Sequence, residues 1–312
     1  MALLIFGCFL LSIQAKELSP TFRLHATGVV SDFVVDSDRL YAATDMGTVD
    51  IFDLNTQKII EQIIIAPLKT ARNEIIPARI HSVDVLNGKV LILSSGKNTF
   101  RNVWMYENHS LKQIVDESKE LFIKEARFIN DERVMFGTFA SEMILYDTTE
   151  SYQVYKRHMT QSTLGDITLG AYKKMIMSDE SGEIRVFDIE NSEIEEVYSG
   201  QNLDNVYKVA YANGVIITAG QDRRVGVYQK DLEAYYIKSD FLVYCVGISP
   251  SGTMGVYSSG INSDLQVFNT KTKAKGDLLI GHFATVNAIK FINEKEFFSS
   301  GEEKDIFFWK LH

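Results

Sequence analysis

Two cysteines, four prolines, two tryptophans and six histidines in 312 residues leave several protein classes without their materials. Cys8 lies inside an apolar leader, so Cys245 is the one cysteine expected in a processed chain, and no internal disulfide framework can form. The histidines, at 25, 81, 109, 158, 282 and 312, never fall within metal-ligand spacing of one another. No Cys-x-x-Cys-His is present to hold a haem covalently, no His-Glu-x-x-His and no Gly-x-Ser-x-Gly, so no catalytic residue, metal or cofactor is expected. Positive charge is also short. With 32 Lys and Arg against 41 Asp and Glu, the formal net charge is −9, which argues against a general nucleic-acid binder. Beyond the leader no apolar run is long enough to cross a bilayer. Stability must come from core packing, and a chain of this length with 46% hydrophobic residues can supply it.

The leader reads "MALLIFGCFLLSIQAKE", with no charged side chain before Lys16. Its apolar core, residues 2–13, has the length of a signal-peptide h-region, and Ala15 is a small residue suited to a cleavage point. The basic n-region of such signals is missing. The "IFGC" ahead of Cys8 faintly resembles a lipoprotein cleavage box but sits too close to the start, so no lipid anchor is expected. The expectation is a signal peptide over 1–15, a single folded unit over 16–312 and a periplasmic, monomeric product.

What the chain does have is a repeat. A polar turn followed by alternating apolar residues ending in an aromatic recurs as "GTVDIFDL" (47–54), "RNVWMYEN" (101–108), "SEMILYDT" (141–148), "GEIRVFDI" (182–189), "RRVGVYQK" (223–230), "SDLQVFNT" (263–270) and "KDIFFWKL" (304–311). The anchoring aromatics Phe52, Tyr106, Tyr146, Phe187, Tyr228, Phe268 and Trp309 are spaced 54, 40, 41, 41, 40 and 41 apart. A period near 41 matches one four-stranded propeller blade. Each anchor strand is preceded by two short strands rich in Val, Ile, Tyr and Phe, as in "VYKVAYANG" (206–214) with "GVIITAG" (214–220), or "VYCVGISPSG" (243–252) with "GTMGVYSSG" (252–260). The last repeat has no fourth strand, whereas "PTFRLHATG" (20–28) is a spare one ahead of the first repeat. The expected fold is therefore an all-β, seven-bladed propeller, with residues 20–28 closing the ring on the edge of the last blade.

The last repeat, "GHFATVNAIKFINEKEFFSSGEEKDIFFWK" (281–310), resembles a WD40 repeat: a Gly-His pair, a Val-x-x-Ile-x-Phe strand, and a Trp 27 residues after the His. The resemblance implies a hydrogen-bonded tetrad of His282, Ser299, Glu303 and Trp309, with Glu303 where Asp is usual, and Lys310 where the family has Asp. The other six repeats lack Gly-His and carry Phe or Tyr in place of Trp. A narrower resemblance, on the architecture and the run "IIPARIHSVDVLNGKVLIL" (75–93), is to the NapL accessory proteins of bacterial periplasmic nitrate reductase systems. It implies a non-enzymatic role in supporting the molybdenum enzyme or its electron supply. The alternatives are a periplasmic protein-binding propeller of the outer-membrane assembly type, or a propeller enzyme. A quinoprotein dehydrogenase, with its Trp-rich docking repeats, is poorly matched by two Trp in all.

Two regions are candidates for binding a protein partner. The long first spacing places about 13 extra residues in "APLKTARNEIIPAR" (66–79), which should lie beside the long loop "GKNTFRN" (96–102). Together they carry Lys69, Arg72, Arg79, Lys97 and Arg101 against Glu74, either as a solvated pair of loops or as a dock for an acidic partner. The second region is the channel mouth. Aligning the first strands on Val30, Ile80, Ile123, Leu164, Val206, Val243 and Val286 puts Ser31-Asp32, His81-Ser82, Lys124-Glu125, Gly165-Asp166, Tyr207-Lys208, Tyr244-Cys245 and Asn287-Ala288 in a ring. His81, Lys124, Tyr207 and Tyr244 are its candidate contacts, in a channel that is either merely hydrated or grips a peptide.

Overall fold

The alternation of apolar and polar residues does what a period of two must do: each short strand buries one face, and four strands stack radially into a blade. The computed structural model describes residues 16–311; the expected signal segment, 1–15, lies outside the described residues. Seven four-stranded antiparallel blades are present. Their inner strands are Val30–Asp36, Ile80–Leu86, Ile123–Phe128, Leu164–Leu169, Val206–Ala212, Val246–Ile248 and Val286–Phe291. Each inner strand packs against the next, and that of blade seven against that of blade one, so the sheets form a ring.

The seven aromatics occupy one ladder position. In blade one Val30 pairs with Thr44, and Phe52 pairs with Leu40, four residues earlier. In blade seven Val286 pairs with Gly301, and Trp309 with Phe297, again four earlier. Five of these rings, those of Phe52, Phe187, Tyr228, Phe268 and Trp309, are fully buried between blades.

Closure follows the expectation. Phe22–His25 pairs antiparallel with Asp305–Lys310 as the outermost strand of blade seven, Leu24 opposite Ile306 and Phe22 opposite Phe308. Leu24 and Ala26 are buried with Val30, Phe33, Phe52, Phe298 and Ile306 in the layer between blades seven and one. Upstream, Glu17–Leu18 pairs parallel with Lys275–Leu279 and becomes a fifth strand of blade six. This two-residue strand is too short to show a period.

Two further details differ from the sequence reading. The inner strand of blade six starts at Val246 rather than at Val243. The amides of Tyr244 and Cys245 donate to Ser258 Oγ, at 2.8 and 3.2 Å, in place of ladder carbonyls. The inserted segment is not a plain loop either. Leu68–Lys69 and Ile75–Ile76 form a small hairpin, tied at its tip by Thr70 N–H to Glu74 O (2.9 Å) and Asn73 N–H to Thr70 O (3.0 Å).

Candidate functional site

In an antiparallel blade, the turns between second and third strands open on the same face as the connections from outer strands to the next inner strand. Both long segments are of these kinds, so they share a face, and the structure brings them together. The hairpin and the 96–101 loop face each other across a groove of about 620 Å³, lined by Leu68, Ala71, Ile76, Lys69, Lys97 and Arg101 among others. Ser95 N–H donates to Arg79 O at 2.8 Å and ties the two walls at their base. Lys69, Arg72, Arg79 and Lys97 are exposed, and Arg101 is half-buried. Sequence reasoning missed one carboxylate: Glu117, in the turn after blade two, lies 3.5 Å from Lys97. Glu117 is twenty residues further on, and only the folding of the blade brings it back to this loop. Among the described residues, Lys69, Arg72, Arg79 and Arg101 have no carboxylate within ion-pair distance.

Arg101 is held by a bond from Nη1 to Thr99 O at 2.8 Å, while its Nε is buried without a partner. His81 sits beside this cluster with Nε2 2.8 Å from Ser95 Oγ. Burial, with the charges of Arg101 and Arg79 adding to it, pulls its pKa from 6.5 down to about 3, so His81 is neutral and adds no positive charge to the face.

The ring of inner-strand residues has a structural cause that the alignment did not reveal. In six blades the residue after the alignment position is a β-bulge: the ladder skips Ser31, His81, Lys124, Gly165, Tyr207 and Asn287. Several bulged side chains reach the next blade instead of the lumen. Lys124 Nζ donates to Leu164 O at 2.6 Å, Asn287 Nδ2 to Val30 O at 2.7 Å, and Ser31 Oγ to Ile80 O. At the junction of blades four and five there is no room for a side chain at all: a Cβ on Gly165 would lie 2.0 Å from Val206 O. Tyr207 and Tyr244 stack with centroids 5.6 Å apart, and Tyr207 OH donates to Gln221 Oε1 at 2.7 Å. Both rings are half-buried at the channel mouth.

The residues that do enter the channel form a charge network. Arg127 Nη2 lies 2.9 Å from Glu125 Oε2, and Nη1 lies 3.4 Å from Asp32 Oδ2 and 2.7 Å from Ser82 Oγ. Lys208 Nζ bridges Glu125 and Asp166 at 3.3 and 3.4 Å. Burial alone would raise the pKa of Glu125, but Lys208, Arg127 and Lys124 outweigh it and hold the carboxyl at about 2. Asp32 and Asp166 also accept backbone N–H bonds from the following blades, at Val83 (3.2 Å) and Val209 (3.1 Å). The remaining channel cavity is about 220 Å³. Arg127 was absent from the sequence-based ring. The signal for it was the Glu-x-Arg alternation at 125–127, which places both side chains on one face beyond the bulge.

In blade seven the four WD40-type side chains form one chain of bonds. Trp309 Nε1 donates to Ser299 Oγ at 2.7 Å, Ser299 Oγ lies 2.6 Å from His282 Nε2, and His282 Nδ1 lies 2.7 Å from Glu303 Oε1. All four residues are buried. Blade five makes a related arrangement without histidine. Asn202 Oδ1 accepts from Thr218 Oγ, and its Nδ2 donates to Asp222 Oδ1 at 3.2 Å, which no Gly-His search would find.

No family profile matches the sequence, and no curated protein sequence matches it. Among solved structures, 1851 chains match, so the fold is widely shared and does not by itself name a partner. One is the β-propeller domain of Cps50 (Swd1) from Myceliophteria thermophila, with a TM-score of 0.76 and 14% identity over 94% of this chain and 99% of that one. At that identity the likeness concerns the fold, and this chain is a seven-bladed, WD40-like β-propeller.

Proposed function

We propose that this propeller is an exported, non-enzymatic scaffold that binds a protein partner on its long-loop face. The observation that carries the reading is the distribution of exposed apolar side chains. On that face Met46, Phe122, Phe139, Leu203, Ile261 and Phe283 stand out from the loops of successive blades around the ring, joined by Ile75 and Ile76 of the hairpin. On the opposite face only Tyr172, Leu232 and Ile292 do so from loops, among the described residues. Exposed apolar side chains gathered on one face and scarce on the other favour that face as an interaction surface. The basic cluster of Lys69, Arg72, Arg79, Lys97 and Arg101 adds a charge preference for an acidic partner. The channel carboxylates are engaged by cations and backbone amides, which supports a structural use of them rather than proton transfer. The signal-like leader supports export to the periplasm. The resemblance of residues 75–93 to NapL proteins supports a component of a periplasmic nitrate reductase system as the partner.

The test pairs two variants with one candidate partner, the purified nitrate reductase. Phe122→Asp with Phe139→Asp should abolish binding measured by calorimetry, and Leu232→Asp on the far face should leave it intact. Equal binding by all three proteins would sink the assignment of the face. Fractionation that recovers the uncleaved chain in the cytoplasm would sink the export reading.

A further inference from the structure

The groove at blade two has a more specific chemistry than the face around it. Its lining contains three cations, Lys69, Lys97 and Arg101, three apolar side chains, Leu68, Ala71 and Ile76, and no carboxylate, on a chain whose net charge is −9. The apolar residues belong to the hairpin wall, where Leu68 and Ile76 are cross-strand partners. The far wall is the 96–101 loop, in which Asn98 and Thr99 both stand at positive φ, 54° and 68°. A β-branched residue in that region is unfavourable, and such strain collects at ligand-holding loops. Gly96 N–H to Phe100 O (2.9 Å) and Phe100 N–H to Lys97 O (3.1 Å) hold the loop in this shape.

The cations are available. Arg101 spends one nitrogen on Thr99 O and keeps Nε buried without an acceptor. Lys97 has Glu117 at 3.5 Å, but its side chain is 62% exposed, and an ion pair so solvated is cheaply exchanged for another carboxylate. Lys69 has no acidic partner among the described residues. A volume of about 620 Å³ has room for several residues of a peptide chain.

We infer that this groove seats an extended acidic segment of the partner protein, with an apolar side chain against Leu68 and Ile76 and flanking carboxylates on Lys97, Arg101 and Lys69. The inference rests on the scaffold reading above and specifies where, and by what chemistry, the partner is gripped. Charge gives the preference for acidic sequence, and the apolar wall separates such a segment from a merely polyanionic one.

Random linear peptides displayed on phage, selected on the full chain, supply the probe without knowledge of the partner. The expected winners carry Asp or Glu on both sides of an apolar residue. A synthetic peptide of the winning sequence should lose about tenfold or more in affinity with Lys97→Glu plus Arg101→Glu, and also with Ile76→Asp. Lys271→Glu plus Lys273→Glu, on the opposite face, should change nothing. Lys97, Ile76, Lys271 and Lys273 are exposed and Arg101 is half-buried at the start of its strand, and unchanged melting temperatures will show that the variants fold. The inference is overturned if no sequence is enriched, if the winners are basic or uncharged, or if the groove variants bind the peptide like the wild type. It is equally overturned if inorganic phosphate displaces the peptide at matched ionic strength, which would mark a small-anion site. Partner binding that survives the groove variants but not the Phe122 and Phe139 variants would leave the scaffold reading standing and this inference refuted. Survival of both sets would refute the assignment of the long-loop face as well as this inference.

Discussion

At the scale of single residues, the clearest consequence of the fold is that His81 is a half-buried neutral imidazole flanked by arginines. Its folded pKa, about 3, lies below the unfolded value of 6.5. Between those values the unfolded chain holds a proton that the folded chain does not, so the stability associated with His81 is complete above 6.5 and is lost as the pH falls. The loss approaches about 1.4 kcal/mol for each pH unit between 6.5 and the folded value. Urea denaturation at pH 7 and pH 5 should therefore show the wild type losing more stability than His81→Asn, which keeps a donor for Ser95 but has no proton to gain. This window lies above 4.5, the ordinary carboxyl value from which Glu125 is held down to about 2, so its titration does not contribute. An identical pH dependence in the two proteins would show that His81 is not so placed.

At the scale of elements, the N-terminal segment is two devices in one. Phe22–His25 covers the edge beside Asp305–Lys310, with Leu24 fully buried and Phe22 stacked on Phe308 at 4.6 Å between centroids. Glu17–Leu18 lies on blade six and has no fully buried side chain. The two parts should separate on truncation. A chain beginning at Pro20 keeps the closing strand and should lose about 1 kcal/mol or less. A chain beginning at Gly28 loses the burial of Phe22, Leu24 and Ala26 and the whole outer ladder, and should lose about 3–5 kcal/mol. It should also aggregate more readily, because the edge of blade seven is then open. Chemical denaturation and light scattering measure the two effects. Equal stability of the two truncated chains would contradict closure by this strand.

At the scale of the whole molecule, the channel network joins blades that are far apart in sequence. Arg127 of blade three reaches Asp32 of blade one, and Lys208 of blade five reaches Glu125 of blade three and Asp166 of blade four. Both cations have their pKa raised: burial opposes this, but the surrounding carboxylates outweigh it. Removing Arg127 takes from Asp32 its ion-pair partner among the described residues and leaves Glu125 with Lys208 alone, which is costlier than never having built the network. Arg127→Leu should destabilise the ring by about 3–5 kcal/mol. It should also move acid unfolding to higher pH, because Glu125 then loses one of the charges that hold its pKa down. A denaturation midpoint within experimental error of the wild type would show that the network is incidental.

The repeat, the seven aromatic anchors and the closing strand were all legible in the chain, because they depend on local period and on spacing, and both survive as linear patterns. The position of the basic loops on one face was legible for the same reason: strand count alone decides which turns point the same way. What the sequence could not convey were contacts between groups brought together by the ring. Glu117 beside Lys97, Arg127 reaching across to Asp32, and Asn202 standing in for the missing histidine of blade five each link segments that no period connects. The bulges were hidden for a related reason. They shift the register by one residue and so turn Lys124 and Asn287 from the lumen to a neighbouring carbonyl, without altering the spacing of the apolar residues. Sequence thus determined the number, order and closure of the blades, while the direction of each polar side chain at the axis was decided only when the blades met.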